Sequence, residues 1–480
     1  MGKLSIPSKA EMTAPFQSKE AFLDFLKAPE GDDGHAPVGD SRWSNKDLAP
    51  TPVKDRTWTW YNLPLYWFSS QFSIVGWNTG SSLVTVGLVR QIMNQILEMM
   101  WVHPKNIHYI FTIKGFTMPV AAFALFGCAM SMGAGLGDMD IASKAGELSS
   151  SVTPLGWSIM SGINTIFGGL SPMLVNQPDL ARYCKKPRDA GLLQGLCVFF
   201  PTVLVFFLGL ASTTSIQIKW GTAYWNVWDL LDVILDHHFS AGARTGIFFI
   251  ALVFFFGVFV TNIGANSLPF GADMTGLIPK FLTIRRGQIL CAILGVVVQP
   301  WQLMANASAF LSFLGSYNIF MAPLCAIIIV DYFVIRKGNL HVRSCFSGSK
   351  SGLYWYWSGV NIVGVVAWLL GTTMGIPGLI GQYQPEIISL AAKNMYRLGY
   401  ILTFTTAATV YYVLRMFIKP RIFPTGREDT PLQWEWLANE GREGFYEDEK
   451  EGNELFAPPT PPAMEAEEIQ MSGKAYGLKG

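Results

Sequence analysis

The chain has 480 residues, half of them hydrophobic and only 14% charged, with a formal net charge of +1. An ordinary soluble domain carries roughly a quarter charged residues. This composition therefore excludes a soluble enzyme, and the absence of a basic excess argues against a nucleic-acid partner. The charges fall in clusters, and the uncharged stretches between them are the first structural signal.

No Asp, Glu, Lys or Arg occurs between Arg56 and Arg90, Lys114 and Asp138, Glu147 and Asp179, Asp189 and Lys219, or Arg244 and Asp273. Arg286 to Asp331 is long enough for two membrane spans, Lys350 to Glu386 for one with a loop, and Arg397 to Arg415 for one short span. At about 20 residues per crossing, the pattern predicts an all-α polytopic membrane protein with roughly nine full spans plus one short segment. The transmembrane domain is expected over residues 56–420.

Residues 1–55 and 421–480 are polar and rich in Pro, Gly and charge, with stretches such as "EDEKEGNE" and "PPTPPAMEAEE". They have little to bury and are expected to be disordered tails. The start "MGKLSIPSKAEM" has no apolar signal core, and Ile6 stands where a myristoylation site needs Ser or Thr. Basic clusters recur at every second boundary, in "RYCKKPRD", "PKFLTIRRGQ", "RKGNLHVR" and "RMFIKPR". By the positive-inside rule these loops and both termini are cytoplasmic. The opposite loop segment "YWNVWDLLDVILDHH" has helical apolar spacing and reads as an interfacial helix or lid, with His237 and His238 as loop polar residues rather than ligands.

Four of the apolar stretches contain residues a plain anchor would not need. The first, from Tyr61, carries Ser69, Ser70, Gln71, Ser73, Gly76, Trp77, Asn78 and Gly80. The third has Gly168, Gly169, Ser171 and Pro172; a later one has Pro300, Asn306, Ser308, Gly315 and Asn318. The run "GIFFIALVFFFGVF" turns into "VTNIGANSLPFGADM". All four are candidates for broken helices, which in membrane carriers expose backbone groups at mid-depth. Single Gly, Ser and Pro residues also serve helix packing. Asn262 and Asn266 stand four apart on one helical face, with Gly264 and Ala265 leaving room beside them. Their carboxamides offer donors and acceptors to a planar ligand with alternating N–H and C=O groups.

The six cysteines have no metal-type spacing: Cys128, Cys197, Cys291 and Cys325 lie in apolar runs, while Cys184 and Cys345 sit beside basic clusters. They read as small core residues and free thiols. Few carboxylates or histidines occupy the predicted spans, and no nucleophile constellation is visible, so an enzyme is not expected.

The segments "NKDLAPTPVKDRTWTWYNLPLYWFS", "LVNQPDLARYCKKPRD", "GANSLPFGADMTGLIPKFLTIRRGQ", "PWQLMANASAFLSFLGSYNIFMAPLCAIIIVDYFVIRKG" and "LYWYWSGVNIVGVVAWLLG" resemble, in order, blocks of the first nucleobase cation symporter family. Its fungal uracil, allantoin and uridine permease-like branch is the nearest in pattern. The resemblance implies an inverted-repeat (5+5) transporter fold in the plasma membrane. It also implies import of a heterocycle, with a proton or sodium as coupling ion and no other cofactor. The family's eighth helix supplies a hydroxyl pair for the cation and asparagines for the substrate. These fall on Val260 and Thr261, then Asn262 and Asn266, and Val260 lacks the hydroxyl. Gly169 and Leu170 match the sixth-helix substrate wall, where an aromatic is often found. Ser73, Gly76 and Trp77 match the broken first helix more loosely, Ser73 towards the cation, and Asp273 is a candidate coupling carboxylate. The cytoplasmic tails are candidate contacts for ubiquitin and endocytic machinery.

Between residues 88 and 109, where the family places its second to fourth helices, this chain has only "VRQIMNQILEMMWVHPKNIHY". Its apolar part "QIMNQILEMMWV" would make about 18 Å of helix against a hydrocarbon core of about 30 Å. The expectation is a proton-coupled importer of uracil, allantoin, uridine or a similar heterocycle, or less directly of thiamine. The competing reading is a non-transporting product of an incomplete gene model or splice form, or a permease-derived sensor.

Overall fold

A computed structural model describes Lys27, residues 47–48, 51, 55–73, 77, 104–136, 155–224, 226–297, 307–340, 345, 350, 352–384, 386–422 and 428–430. The described chain is helical: α1 (Asn62–Gln71), α2 (Ile107–Met132), α3 (Leu155–Val175), the short α4 (Gln177–Ala181), α5 (Leu193–Trp220), α6 (Val227–His237), α7 (Ala241–Asn262), α8 (Leu268–Leu277), α9 (Ile284–Val297), α10 (Ala307–Ile329), α11 (Ile362–Thr373), α12 (Ile376–Tyr383), α13 (Leu390–Arg397) and α14 (Gly399–Phe417). Wide π turns at Ile263–Ser267 and Val330–Ile335 follow α7 and α10.

Among the described residues five helices are long and apolar enough to cross a membrane, or six if α11 and α12, bent by 42° at their break, count as one span. Every predicted apolar stretch contains a helix, although α1 and α9 are shorter than a full crossing. Residues 1–26, 28–46 and 431–480 of the tails, most of the short segment 88–109, and Gly76, Asn78, Gly80, Pro300 and Asn306 lie outside the described residues. The end of the short segment, Pro104–Asn106, is a single tight turn that leads into α2.

The large apolar side chains are distributed as lipid contact requires. Phe199, Phe200, Phe248 and Phe249 point outward from α5 and α7, where a hydrocarbon solvent makes their exposure favourable. Helix ends that emerge use polar caps: Asn226 accepts from the backbone of Trp228, Ser240 from Ala243, and Ser389 from Ala392. The expected interfacial helix is α6, which buries Val227, Leu230, Leu231 and Ile234 and stacks His237 on Trp220.

Two packed groups meet at the site. In one, α1, α2, α5 and α7 pack together around Trp77, Met118 and Phe254. In the other, α10 packs on α3 and α14. Polar bonds fasten the second group: Asn318 donates to Asn164 Oδ1 (2.8 Å), Ser171 donates to Asn318 Oδ1 (2.7 Å), and Asn164 Oδ1 also accepts from the backbone of Tyr400 (2.8 Å). All three side chains are buried. A Cβ on Gly168 would sit 2.0 Å from the Leu314 carbonyl oxygen, so only glycine allows this approach of α3 to α10.

The segment before α1 straps the same end of the molecule. Trp58 pairs with Cys184 in a parallel bridge, its N–H donating to Tyr183 O and its carbonyl accepting from Lys185 N. Lys105 and Asp55 form an ion pair at 2.7 Å, and Arg182 donates to the Thr51 hydroxyl. At the ends of α10 and α14, Asp331 accepts from Arg336 and Tyr411, and Arg415 bonds Tyr411 and Asn361.

The broken-helix expectation is met in different ways. The first stretch does stop, at Phe72 with ψ 76°, where the helical hydrogen-bond pattern is lost. The stretch holding Asn262 is not severed: it widens into a π turn in which Leu268 N–H reaches Ile263 O, five residues back. α3 runs unbroken through Gly168, Gly169 and Pro172, and α10 through Gly315 and Asn318. In those two helices Gly168, Ser171, Gly315 and Asn318 serve helix-to-helix packing.

Candidate functional site

A cavity of about 400 Å³ lies between the end of α1, α3, α5, the α7 π turn and α10. That volume suits a small planar ligand. The π turn builds one wall. Asn266 Nδ2 donates to Asn262 Oδ1 at 2.7 Å, so the two carboxamides form one polar edge facing the cavity. The extra residue in the turn is accommodated because Gly264 has no side chain: a Cβ there would lie 2.5 Å from the Phe111 ring. Tyr66 of α1 donates to the Gly264 carbonyl at 3.4 Å and packs edge-on against Phe111.

The facing wall comes from α3. Gly169 and Leu170 both line the cavity, and a Cβ on Gly169 would meet nothing within 4 Å. Leu170 offers an aliphatic surface where an aromatic ring would stack on a heterocycle. Tyr317 and Met321 of α10 close one side, and Thr202 and Phe206 of α5 another.

Of the residues expected from the sequence, Asn262, Asn266, Thr261, Ser73, Gly169 and Leu170 converge on this cavity. Trp77 does not: it is fully buried against the Gly209 backbone and edge-on to Phe254, so its indole belongs to the core. Val260 also points away, 1% exposed among Tyr66, Phe111 and Ile263, which accounts for an apolar side chain at that position. Asp273 lies on α8 outside the cavity lining and is bonded by Asn176. Gly76 lies outside the described residues.

Lys114 and Thr202 were not singled out in the sequence, and Gln71 was named only among the polar residues of the first stretch. Lys114 of α2 is completely buried, and its ammonium donates to the Thr261 hydroxyl at 2.5 Å, while that hydroxyl donates to Gly257 O at 2.8 Å. In the sequence Lys114 merely opens an uncharged stretch, as a residue snorkelling to an interface would. The π turn and the course of α2 bring it to Thr261, 147 residues away. Gln71 and Thr202 also meet, Thr202 Oγ1 donating to Gln71 Oε1 at 2.9 Å. Gln71 stood among many polar residues of the first stretch, and Thr202 resembles any membrane threonine. Nothing local marks either one.

A profile described as a permease for cytosine/purines, uracil, thiamine and allantoin matches residues 95–403. The chain belongs to this permease family. It is 29% identical over 361 residues to the uridine permease of Saccharomyces cerevisiae, covering 73% of this chain and 56% of that protein. The allantoin permease of the same yeast is 31% identical over 363 residues, covering 74% and 56%. Its uracil permease is 30% identical over 327 residues, covering 66% and 51%. The chain thus spans little more than half the length of these curated relatives.

Among solved structures, Mhp1, a nucleobase-cation-symport-1 family transporter in a closed conformation with bromovinylhydantoin bound, superposes with a TM-score of 0.52 at 17% identity. The match covers 77% of this chain and 96% of Mhp1. That likeness shows the transporter fold.

Proposed function

We propose that this chain is a secondary transporter that imports a planar nucleobase-like heterocycle, such as uracil, allantoin or uridine, across the plasma membrane. In this reading both termini are cytoplasmic and protons drive uptake. The Asn262 and Asn266 carboxamide edge, facing the open surface of Gly169 and Leu170, is the observation that carries the reading. Such an edge can pair with adjacent C=O and N–H groups of one ring, while the opposite wall contacts its face.

Lys114 supports protons as the coupling ion. A sodium site needs several oxygen ligands. Here Val260 brings none, and the Thr261 oxygen already accepts from an ammonium. A buried amine among apolar spans is costly unless it serves function, and reversible protonation at Lys114 would switch the charge beside the substrate wall. Asp273 and its neighbour Asp179 are then the carboxylates available to relay that proton towards the cytoplasmic side.

Uptake of radiolabelled uracil, allantoin, uridine and thiamine in cells lacking their own permeases tests the proposal. Accumulation that a protonophore abolishes and sodium replacement leaves unchanged is expected. Uptake equal to the empty vector for all four solutes would favour the non-transporting reading.

A further inference from the structure

The π turn between α7 and α8 contains a carbonyl that its own helix does not satisfy. Leu268 N–H bonds Ile263 O, five residues back. Carried one residue further, the same pattern would offer Gly264 O the N–H of residue 269, which is Pro269 and has none. In the same turn the Ser267 hydroxyl is fully buried with no hydrogen-bond partner among the described residues, although a helical serine commonly returns its proton to a carbonyl of the preceding turn. Groups left unmet cost free energy, so a turn that contains them is held by contacts from outside its own helix.

Those contacts come from α1 and α2. The Tyr66 hydroxyl donates to Gly264 O at 3.4 Å, a long bond between buried groups. The Tyr66 and Phe111 rings, with centroids 4.6 Å apart, cover Gly264, where an added Cβ would lie 2.5 Å from Phe111 and 3.2 Å from the Tyr66 ring. Asn266 belongs to this turn and Asn262 directly precedes it. The register of the turn therefore sets where one carboxamide stands relative to the other.

From this we infer that Tyr66 is a positioning residue for the asparagine edge: its hydroxyl supplies the proton that Pro269 lacks and fixes the wide register in which Asn266 Nδ2 reaches Asn262 Oδ1. The inference rests on the transport reading above and goes beyond it by naming what holds the substrate wall in place. Tyr66 is not among the described residues lining the cavity, so it acts through Gly264 and not on the ligand. The arrangement is reciprocal. An N–H at position 269 would let the helix satisfy Gly264 O by itself, and the Tyr66 hydroxyl would then be dispensable.

The test uses purified full-length protein in detergent and two readouts. Hydrogen exchange needs no ligand: Tyr66→Phe keeps the ring over Gly264 and removes only the hydroxyl, so exchange across residues 263–270 should rise about fivefold or more while α10 stays as it was. Binding of uracil and of allantoin, read as thermal stabilisation against concentration, should weaken about fivefold to tenfold, the size of one hydrogen bond. Pro269→Ala combined with Tyr66→Phe should return both readouts to wild-type values, a rescue that a general loosening of the fold would not show.

Wild-type exchange in Tyr66→Phe would overturn the inference while leaving the transport reading intact. Faster exchange with unchanged affinity would do the same, because the bond would then serve only the fold, and so would a loss that Pro269→Ala does not restore. A wild type that binds neither uracil nor allantoin would overturn both. Should Tyr66→Phe not fold, the double variant takes its place: it is expected to fold and to bind as the wild type does, and its failure to do either would overturn the inference.

Discussion

The Lys114 side-chain nitrogen lies 2.5 Å from the Thr261 hydroxyl, which in turn donates to Gly257 O, so a titratable amine stands behind the wall that holds Thr261 and Asn262. No carboxylate is among the described residues lining the cavity. A charge on this amine is balanced only by dipoles or by the ligand, an expensive arrangement that protonation and deprotonation can switch. Lys114→Met should retain heterocycle binding within a few-fold but lose protonophore-sensitive accumulation by at least about tenfold. Uptake and binding measured on the same variant check this, and accumulation that remains at wild-type level would remove Lys114 from the coupling mechanism.

Leu170 offers the ligand an aliphatic face, beside Gly169, whose missing side chain leaves open space. An indole there would stack on a bound ring. Leu170→Trp is expected to tighten uracil binding by up to about tenfold, the range of an aromatic pair beyond simple burial. It should weaken binding of the larger uridine, because the cavity holds only about 400 Å³. Competition binding with the two ligands gives the answer, and equal tightening for both would mean that the ring does not lie against this wall.

The helical, membrane-type architecture was legible because its signals are additive along the chain: gaps without charge mark apolar helices whatever their neighbours do, while the transporter fold came from the family resemblance. The asparagine edge was legible for a related reason, since a spacing of four survives in helical geometry and Asn266 does bond Asn262. Trp77 and Val260 show where this fails. Both belong to stretches that line the site, but which way one side chain points depends on helix rotation, and both rotate into the core. The π turn was read as a break because Gly, Asn and Pro signal either outcome. Lys114 with Thr261 and Gln71 with Thr202 are pairs separated by 147 and 131 residues, and no local pattern couples them.

Gly168 and Gly169 are adjacent yet should respond oppositely to alanine. A Cβ on Gly168 would meet the Leu314 carbonyl oxygen at 2.0 Å, and a backbone atom cannot rotate away, so α3 and α10 must separate. Overpacking of this kind costs about 1–3 kcal/mol. Gly169 has no atom within 4 Å of the corresponding position. Thermal unfolding in detergent should show Gly168→Ala clearly destabilised and Gly169→Ala close to wild type. The reverse order would mean that the two helices do not cross at this point.

Cys184 is shielded by the strap before α1. Burial, with the Asp189 charge adding, pushes its thiol up to about 12, and Trp58, itself 0% exposed, lies across it in the parallel bridge. The thiolate is the reactive form, so maleimide should label Cys184 very slowly in a chain whose other five cysteines are replaced. Trp58→Ala should accelerate labelling by about tenfold or more by opening the strap. Rapid labelling of the Trp58-containing protein would show that the strap leaves the thiol open.

Asp179, on the short α4 beyond the end of α3, sets a pH dependence whose sign can be worked out. Burial, and secondarily the Asp273 charge, pushes its carboxyl from 3.8 up to about 6, with Arg182 opposing. The folded state thus holds this proton more tightly than the unfolded chain. With respect to this group, stability is greatest below about pH 4, declines as pH rises from about 4 to 6, and is flat above. Asp179→Asn removes the titration. The variant should match the wild type near pH 4 and be the more stable protein at pH 7, by at most about 3 kcal/mol. Melting curves of both proteins across pH 4 to 7.5 measure the gap directly. A gap that stays constant, or that favours the wild type as pH rises, would mean that the carboxylate is stabilised in place by Arg182 and cannot act as a proton relay at neutral pH.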